Sequence, residues 1–198
     1  MLSSISPLGE RARRARWGLT VSAYLVGSAV GGLAVGAVSA ALGGLLPAAW
    51  RASGPAAAVV VLLLLVGLGL DVRARGGALP SWRRQVDEAW LARYRGWVYG
   101  LGFGLQLGAG VLTIVTSSTV YAMLALAAWS GTPAVGAALG ATFGLARALP
   151  VLAVRRVHAP GELRAVFARV ERLGRPVDVV SRGALVLVAA AAAGTVWS

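Results

Sequence analysis

Residues 96–131 read GWVYGLGFGLQLGAGVLTIVTSSTVYAMLALAAWSG, and this stretch decides the fold. It contains no charged side chain, which is typical of a segment that is stable in the hydrocarbon of a membrane. As one straight helix it would be about 50 Å long, whereas the hydrocarbon core of a bilayer is about 30 Å thick. We therefore expect the segment to tilt steeply, to overshoot the membrane or to break, and the polar run Thr116–Thr119 is the predicted position of a break.

The composition of the whole chain is that of an integral membrane protein. Of its 198 residues, 58% are hydrophobic and 13% are charged, whereas a soluble domain carries about 25% charged residues. Cysteine is absent, which excludes disulfides, thiolate metal sites and thiol redox chemistry by this chain. Because the apolar segments hold no set of acid, base and nucleophile, we expect no enzyme activity, no metal and no cofactor.

The basic residues, all arginine, are concentrated in three blocks between the apolar segments. The blocks lie at 11–16, 73–95 and 155–182, and only Arg51 and Arg147 fall elsewhere. Since short arginine-rich segments stay on the cytoplasmic side of a membrane, all three blocks are assigned inside. The net charge of +12 then predicts a face on anionic lipid headgroups, and nucleic-acid binding is not expected.

The arginine blocks also set the predicted topology, because keeping them on one side requires an even number of crossings between them. We predict a single all-α polytopic membrane domain over residues 1–198, with about five transmembrane helices and six as the alternative. It lies in a bacterial-type cytoplasmic membrane, with the N-terminus in the cytoplasm and the C-terminus outside. The first apolar run, Trp17 to Pro47, is too long for the core of a signal peptide and is interpreted as an uncleaved span.

Two halves of the chain share one order of segments, which indicates a weak two-fold internal repeat. Each half has a long glycine-rich segment, a turn with tryptophan and proline, a second span, an arginine block and an amphipathic helix. A basic cytoplasmic N-terminus at 1–16 is followed by repeats at 17–95 and 96–178 and by a final transmembrane helix at 179–198. The two amphipathic cytoplasmic helices, beginning near Pro80 and Glu162, are predicted to anchor the protein on the membrane surface or to dock a protein partner.

Glycines spaced four residues apart mark helix faces that can pack closely in a membrane. Two such ridges lie in adjacent segments and predict a close-packed helix pair. They consist of Gly100, Gly104 and Gly108 and of Gly136, Gly140 and Gly144. The first apolar run carries two further pairs, Gly27 with Gly31 and Gly32 with Gly36.

Polar residues within the apolar segments form a candidate substrate-binding site. Arg147 lies roughly 12 Å inside the cytoplasmic interface, and an ionisable side chain at that depth is a candidate counter-charge for an anionic solute. Its alternative role is structural, by reaching the interface or by pairing with Asp71. Hydroxyl groups can likewise bind a solute or satisfy carbonyls of their own helix. The other members of the candidate site are Gln106, Thr116, Ser117, Ser118 and Thr119.

Part of the chain resembles the transmembrane family of thiol-reducing and cytochrome c biogenesis proteins, DsbD and CcdA. The motifs that carry the resemblance are GFGLQLG at 102–108, LALAAWSG at 124–131 and GAALGATFGLARALP at 136–150. The resemblance implies a fold with a broken helix. That family passes electrons through paired cysteines, and this chain has none, so no residue is assigned a redox role.

Two functions are compatible with these patterns. The first is a transporter-like carrier of a small solute, with a binding site where the long segment breaks. In the more specific form of this hypothesis, the solute is an anion. The alternative is a non-catalytic membrane subunit or assembly factor that scaffolds a larger membrane complex and holds a membrane or cytoplasmic protein partner.

Overall fold

All regular secondary structure that the computed structural model describes is helical. The described residues are 5–74, 93–110 and 118–157, with scattered residues beyond 157. The helices are α1 (Pro7–Ala12), α2 (Trp17–Gly44), α3 (Ala48–Arg51), α4 (Gly54–Ala74), α5 (Gly96–Ala109), α6 (Thr119–Ser130) and α7 (Pro133–Ala148), which continues as a 3-10 helix (Leu149–Val154). Within these ranges, the all-α prediction is confirmed.

Two of the described helical segments are long and apolar enough to cross a membrane. They are α2 and the segment Pro133–Val154, while Gly54–Leu70 of α4 and the whole of α6 are shorter apolar helices. Only 33% and 28% of the most apolar windows of the two long segments are buried inside the molecule, so most of their apolar surface faces outward. Large side chains such as Leu42 and Leu62 are 62% and 61% exposed on α2 and α4.

Helix α2 is the centre of the bundle, and α5, α6 and α7 all pack against it. Gly100 of α5 lies against Thr20, and Gly108 lies against Ser28. Because residue numbers rise together along both helices, α5 runs parallel to α2. Near the other end of α2, Gly43 lies against Ala128 of α6.

The stretch that opened the sequence analysis is therefore two helices, α5 and α6, that follow one another along α2. Helix α4 returns beside α6 in the opposite direction, since Leu64 packs with Ala122 while Gly67, later in α4, lies against the earlier Ser118. Helix α7 also returns along α2, because Gly136 faces Gly36 and Gly140 faces Gly32.

The glycines allow these helices to touch through their backbones. A Cβ atom at Gly104 would lie 2.8 Å from the backbone nitrogen of Ser28, and one at Gly32 would lie 2.8 Å from the carbonyl carbon of Gly140. Real Cβ atoms essentially never come this close to other atoms. At these positions any side chain would push the helices apart.

The pairing of the glycine ridges differs from the predicted one. The ridges of α5 and α7 were expected to face each other, but they meet only where Gly144 approaches Gly108, and their other glycines face α2. The two glycine pairs of α2 face different neighbours. Gly27 and Gly31 face α5, whereas Gly32 and Gly36 face α7. Spacing alone identifies a face that can pack closely, but it does not identify the neighbour.

Other predictions fall on residues outside the described part of the chain. Residues 75–92, which contain most of the first predicted amphipathic helix, lie outside it. So do most apolar residues of the second predicted amphipathic helix and most of the final predicted span at 179–198. The described ranges contain two segments of spanning length, fewer than the five predicted helices.

We expect Gly36→Ala to destabilise the bundle, because its Cβ would lie 3.0 Å from the carbonyl carbon and still closer to the carbonyl oxygen of Gly136. Forcing an extra methyl group into a packed interface typically costs about 1–3 kcal/mol. The control is Gly69→Ala, since no atom of the described residues lies within 4 Å of a Cβ at Gly69. Thermal unfolding of both variants in the same detergent checks this: a Gly36→Ala variant as stable as Gly69→Ala would contradict backbone contact.

Candidate functional site

The break between α5 and α6 begins at Gly110, earlier in the chain than predicted. Helix α5 ends at Ala109, and Gly110 has a φ of +69°, a conformation that glycine adopts at little cost. Helix α6 begins at Thr119. A break was expected in the hydroxyl run Thr116–Thr119, and the described end of the break lies there, because Ser118 is the N-cap of α6 and Thr119 its first residue.

Arg147 of α7 binds the carbonyl group at the end of α5. Its Nη1 donates a hydrogen bond of 2.9 Å to the carbonyl oxygen of Leu107, which also accepts from the backbone N–H of Gly110 at 3.1 Å. The guanidinium carbon lies 5.6 Å from the ring centre of Phe143. A cation at a helix C-terminus stabilises the helix dipole and the carbonyls that lack a partner within the helix. The described contacts of Arg147 thus give it a structural role at a helix end, with a backbone carbonyl as its partner instead of the interface or an acid.

Arg51 makes the equivalent contact at the end of α6. Its Nη1 donates a 2.9 Å hydrogen bond to the carbonyl oxygen of Ser130, beside Gly131, which has a φ of +57°. In return, the indole N–H of Trp129 donates to the carbonyl oxygen of Arg51 at 2.9 Å. The two arginines that lie outside the basic blocks therefore cap the two halves of the broken helix, each next to a left-handed glycine.

The remaining residues of the predicted substrate site are not gathered around Arg147 in the described part of the chain. Gln106 is half-buried on α5, immediately before the capped Leu107. Ser118 is buried beside Gly67 of α4, and Thr119 opens α6. Thr116 and Ser117 lie outside the described residues.

Three helices meet at Ser28, in the middle of α2. Its hydroxyl group donates a buried hydrogen bond of 2.7 Å to the carbonyl oxygen of Gly144 in α7. Its own backbone lies against Gly108 of α5 and against Gly144. A side chain larger than serine at this junction would separate α5 and α7 from α2.

A second polar cluster, which the sequence analysis missed, surrounds the buried carboxylate of Glu10. One oxygen, Oε1, accepts a hydrogen bond from Arg13 Nη2 at 2.7 Å and another from the hydroxyl of Tyr99. The other, Oε2, accepts from the hydroxyl of Thr20 at 2.8 Å. Glu10, Thr20 and Tyr99 are all at most 1% exposed, so the cluster joins α1, α2 and α5.

The Glu10 cluster favours the charged form of Arg13. Burial lowers the pKa of Arg13, but hydrogen bonds to Glu10 and Tyr99 outweigh burial and raise that pKa above its ordinary value. Arg13 also lies over the ring of Tyr99, 5.6 Å from its centre. The N-terminal segment is held further by the indole N–H of Trp17, which donates to the carbonyl oxygen of Ile5 at 3.1 Å.

One sequence signal could have revealed the Glu10 cluster. Ser6 and Pro7 are residues typical of a helix start, and in the structure the Ser6 hydroxyl accepts a hydrogen bond from the backbone N–H of Gly9. Glu10 is also the one acidic residue among the arginines of the first block. The N-terminal residues looked like a solvated basic tail, whereas they form a helix that docks on the bundle.

These features define a helical bundle built on one glycine-rich central helix and one broken helix. Each half of the broken helix is capped by an arginine at its C-terminal end. The chain is similar to proteins named methylamine utilization protein MauF. It is 34% identical over 155 residues to the protein of Paracoccus versutus, covering 76% of this chain and 55% of that one. It is 32% identical over 157 residues to the protein of Methylophilus methylotrophus, covering 76% and 53%.

The chain spans about half the length of these relatives. A third, from Paracoccus denitrificans, is 34% identical over 155 residues, covering 75% of this chain and 55% of its own. No protein-family model matches the sequence, and no solved structure matches it significantly.

These similarities correct two predictions. The resemblance to DsbD and CcdA is wrong, because the related proteins are named MauF. Its motifs at 102–108 and 136–150 instead reflect glycine packing on α2.

The transporter-like carrier is also wrong, because the relatives' name describes methylamine utilization and not transport. Arg147, the proposed counter-charge for an anion, donates to a backbone carbonyl. The alternative, an assembly factor, fits the relatives better.

We expect Arg147→Met to loosen the end of α5, because the Leu107 carbonyl would lose a charged donor. Losing such a hydrogen bond typically costs about 1–3 kcal/mol. Hydrogen–deuterium exchange should become faster at the amides of residues 105–110, and thermal unfolding should occur at a lower temperature. The control is Arg156→Met, since Arg156 is exposed. Equal exchange at these amides in both variants would rule out the capping role.

We expect Glu10→Ala to release the N-terminal segment from the bundle. Removing one partner of a buried ion pair costs several kcal/mol, here about 3 kcal/mol because Arg13 is partly exposed. Trypsin should then cleave at Arg13 to Arg16 in the folded protein, while Arg11→Ala, at an exposed position of α1, should leave these sites protected. If Glu10→Ala resists trypsin as well as the wild type does, the cluster does not hold the segment.

Proposed function

We propose that this protein is a multi-pass, non-catalytic membrane protein that holds or assembles partner proteins in a methylamine utilization system. The observation that carries the proposal is the similarity to MauF proteins over three quarters of the chain. Since the matched region covers only about half of these relatives, the partner and the process are part of the proposal.

The placement of the arginine blocks supports a membrane topology with all three blocks in the cytoplasm. Helices α2 and α5 run parallel and begin directly after Arg16 and Arg95. The segment Pro133–Val154 runs in the opposite direction and ends at Arg155. One end of the bundle therefore carries a residue from each block, as the positive-inside rule requires. With a final span at 179–198, we propose five crossings, the N-terminus inside and the C-terminus outside.

The use of the interior polar groups favours a scaffold. Arg147, Arg51 and Ser28 each donate to a backbone carbonyl, so these contacts fix helices relative to one another. Backbone contact through glycine also leaves little room for the helices of the core to slide. By contrast, the outer faces of α2 and α4 expose many large apolar side chains, which suit lipid or the helices of a membrane partner.

Deletion of the gene is expected to abolish growth with methylamine as the nitrogen source. Growth of the same strain with ammonium as the nitrogen source should be unchanged. The wild-type gene and Gly69→Ala should both restore growth, whereas Gly36→Ala, which disturbs the packing of α7 on α2, should restore it poorly. Immunoblots of membranes would check that each variant is present. Normal growth of the deletion strain on methylamine would refute the proposed process.

Copurification tests the scaffold itself. An affinity-tagged chain, solubilised in a mild detergent from membranes of methylamine-grown cells, should retain a stoichiometric protein whose own deletion also prevents growth on methylamine. Deletion of the gene for this retained protein should remove it from the purified sample, which confirms its identity. A chain that always purifies alone from these membranes would exclude a scaffold.

A further inference from the structure

A cavity of about 880 Å³ lies where α2 and α5 begin, and Arg13, Thr20 and Tyr99 of the Glu10 cluster form part of its wall. Its walls come from the loop between α1 and α2 and from the residues around the start of α5. The lining residues that the argument uses are Arg14, Arg16, Leu19, Tyr94, Arg95 and Trp97. The cavity is separate from the helix break and from its two arginine caps.

The cavity has a strong excess of positive charge. Arg14, Arg16 and Arg95 are exposed on its walls, and within the described part of the chain none of the three forms an ion pair. The nearby carboxylate of Glu10 does not offset them, because it is buried and already paired with Arg13. Three guanidinium groups around one space can bind the oxygens of a phosphate by charge-assisted hydrogen bonds.

The two helix ends add to this charge. Arg16 and Arg95 are the N-cap residues of α2 and α5, and neither helix has a side-chain hydrogen bond at its cap. Because the helices are parallel, both present their first N–H groups and the positive ends of their dipoles at the same cavity. Anions bind favourably at such ends.

The loop that carries Arg14 is held in an uncommon conformation. Among the described residues, Arg14 is the single residue other than glycine with a positive φ, at 54°. This region is costly for residues with a side chain and persists only where the surroundings impose it. On one side of the loop, the ion pair between Arg13 and Glu10 fixes the chain.

Apolar side chains border the same cavity. Leu19 is 55% exposed, Trp97 46% and Tyr94 44%. Tryptophan and tyrosine concentrate at the level of lipid headgroups, with arginine next to them. A soluble anion would need only the arginines, whereas a phospholipid would use both the arginines and the apolar border.

We propose that this cavity is a binding site for a phosphate group, supplied by an anionic phospholipid whose acyl chains lie along Leu19 and Trp97. The site is independent of the proposed role in methylamine utilization, because it concerns the purified chain and its lipid alone. It gives the basic end of the bundle one defined ligand position in addition to a general attraction to the membrane surface.

The test measures binding of phosphatidylglycerol and of phosphatidylcholine to the purified full chain in detergent by native mass spectrometry. We expect phosphatidylglycerol to bind the wild type preferentially, and the variant Arg16→Gln/Arg95→Gln to bind it at least ~10-fold more weakly, since two charge-assisted hydrogen bonds to the phosphate are lost. Arg11→Gln removes one charge from an exposed position that does not line the cavity, and it is the matched control for the single cavity variant Arg14→Gln. Arg14→Gln, which changes neither helix cap, should also weaken binding and provides a second variant if the double variant does not fold.

Two soluble probes distinguish the source of the anion. Inorganic phosphate and glycerol 3-phosphate should compete with phosphatidylglycerol only at much higher concentration. If they compete at equal concentration, the phosphate site stands and its lipid source is refuted. Equal binding of phosphatidylglycerol by the wild type, Arg11→Gln and both cavity variants would overturn the proposal. A wild type that binds an acidic peptide but does not prefer phosphatidylglycerol over phosphatidylcholine would also overturn it.

Discussion

Direct backbone contact between α2 and its neighbours is the constraint on which the rest of the structure depends. In the membrane topology proposed above, the hydrophobic effect does not drive helices together, so packing and polar contacts must hold the bundle. Glycines on two faces of α2 bring α5 and α7 close enough that Ser28 can reach the carbonyl of Gly144. The same closeness places Arg147 of α7 within hydrogen-bond distance of the end of α5. With side chains at these positions, both polar contacts would be out of reach.

Much of the fold follows from spacing and length in the sequence. The glycine ridges predict close packing, and the excess length of residues 96–131 predicts a break. What the sequence does not contain is the partner of each ridge, because a four-residue spacing describes one helix only. The start of the break was not predicted, since hydroxyl groups that can bond to their own helix were weighed above Gly110, whose positive φ ends α5.

The polar sites were less accessible to sequence analysis for a related reason. Arg147 attracts attention by its depth in an apolar segment, but its partner is a carbonyl group, which every residue has and no pattern marks. Glu10 was overlooked because one acid among several arginines resembles a solvated tail. Its importance depends on Tyr99, far away in the chain, and only the parallel packing of α5 on α2 brings the two together.

The two arginine caps also differ in when they become available during synthesis. Arg51 leaves the ribosome before α6, so the end of α6 can be capped as soon as that helix forms beside the preceding turn. Arg147 follows Leu107 by 40 residues, so the end of α5 stays uncapped until α7 has been made and has docked on α2. Since chains assemble from the N-terminus during translation, the end of α5 becomes fixed later than the contacts between α5 and α2.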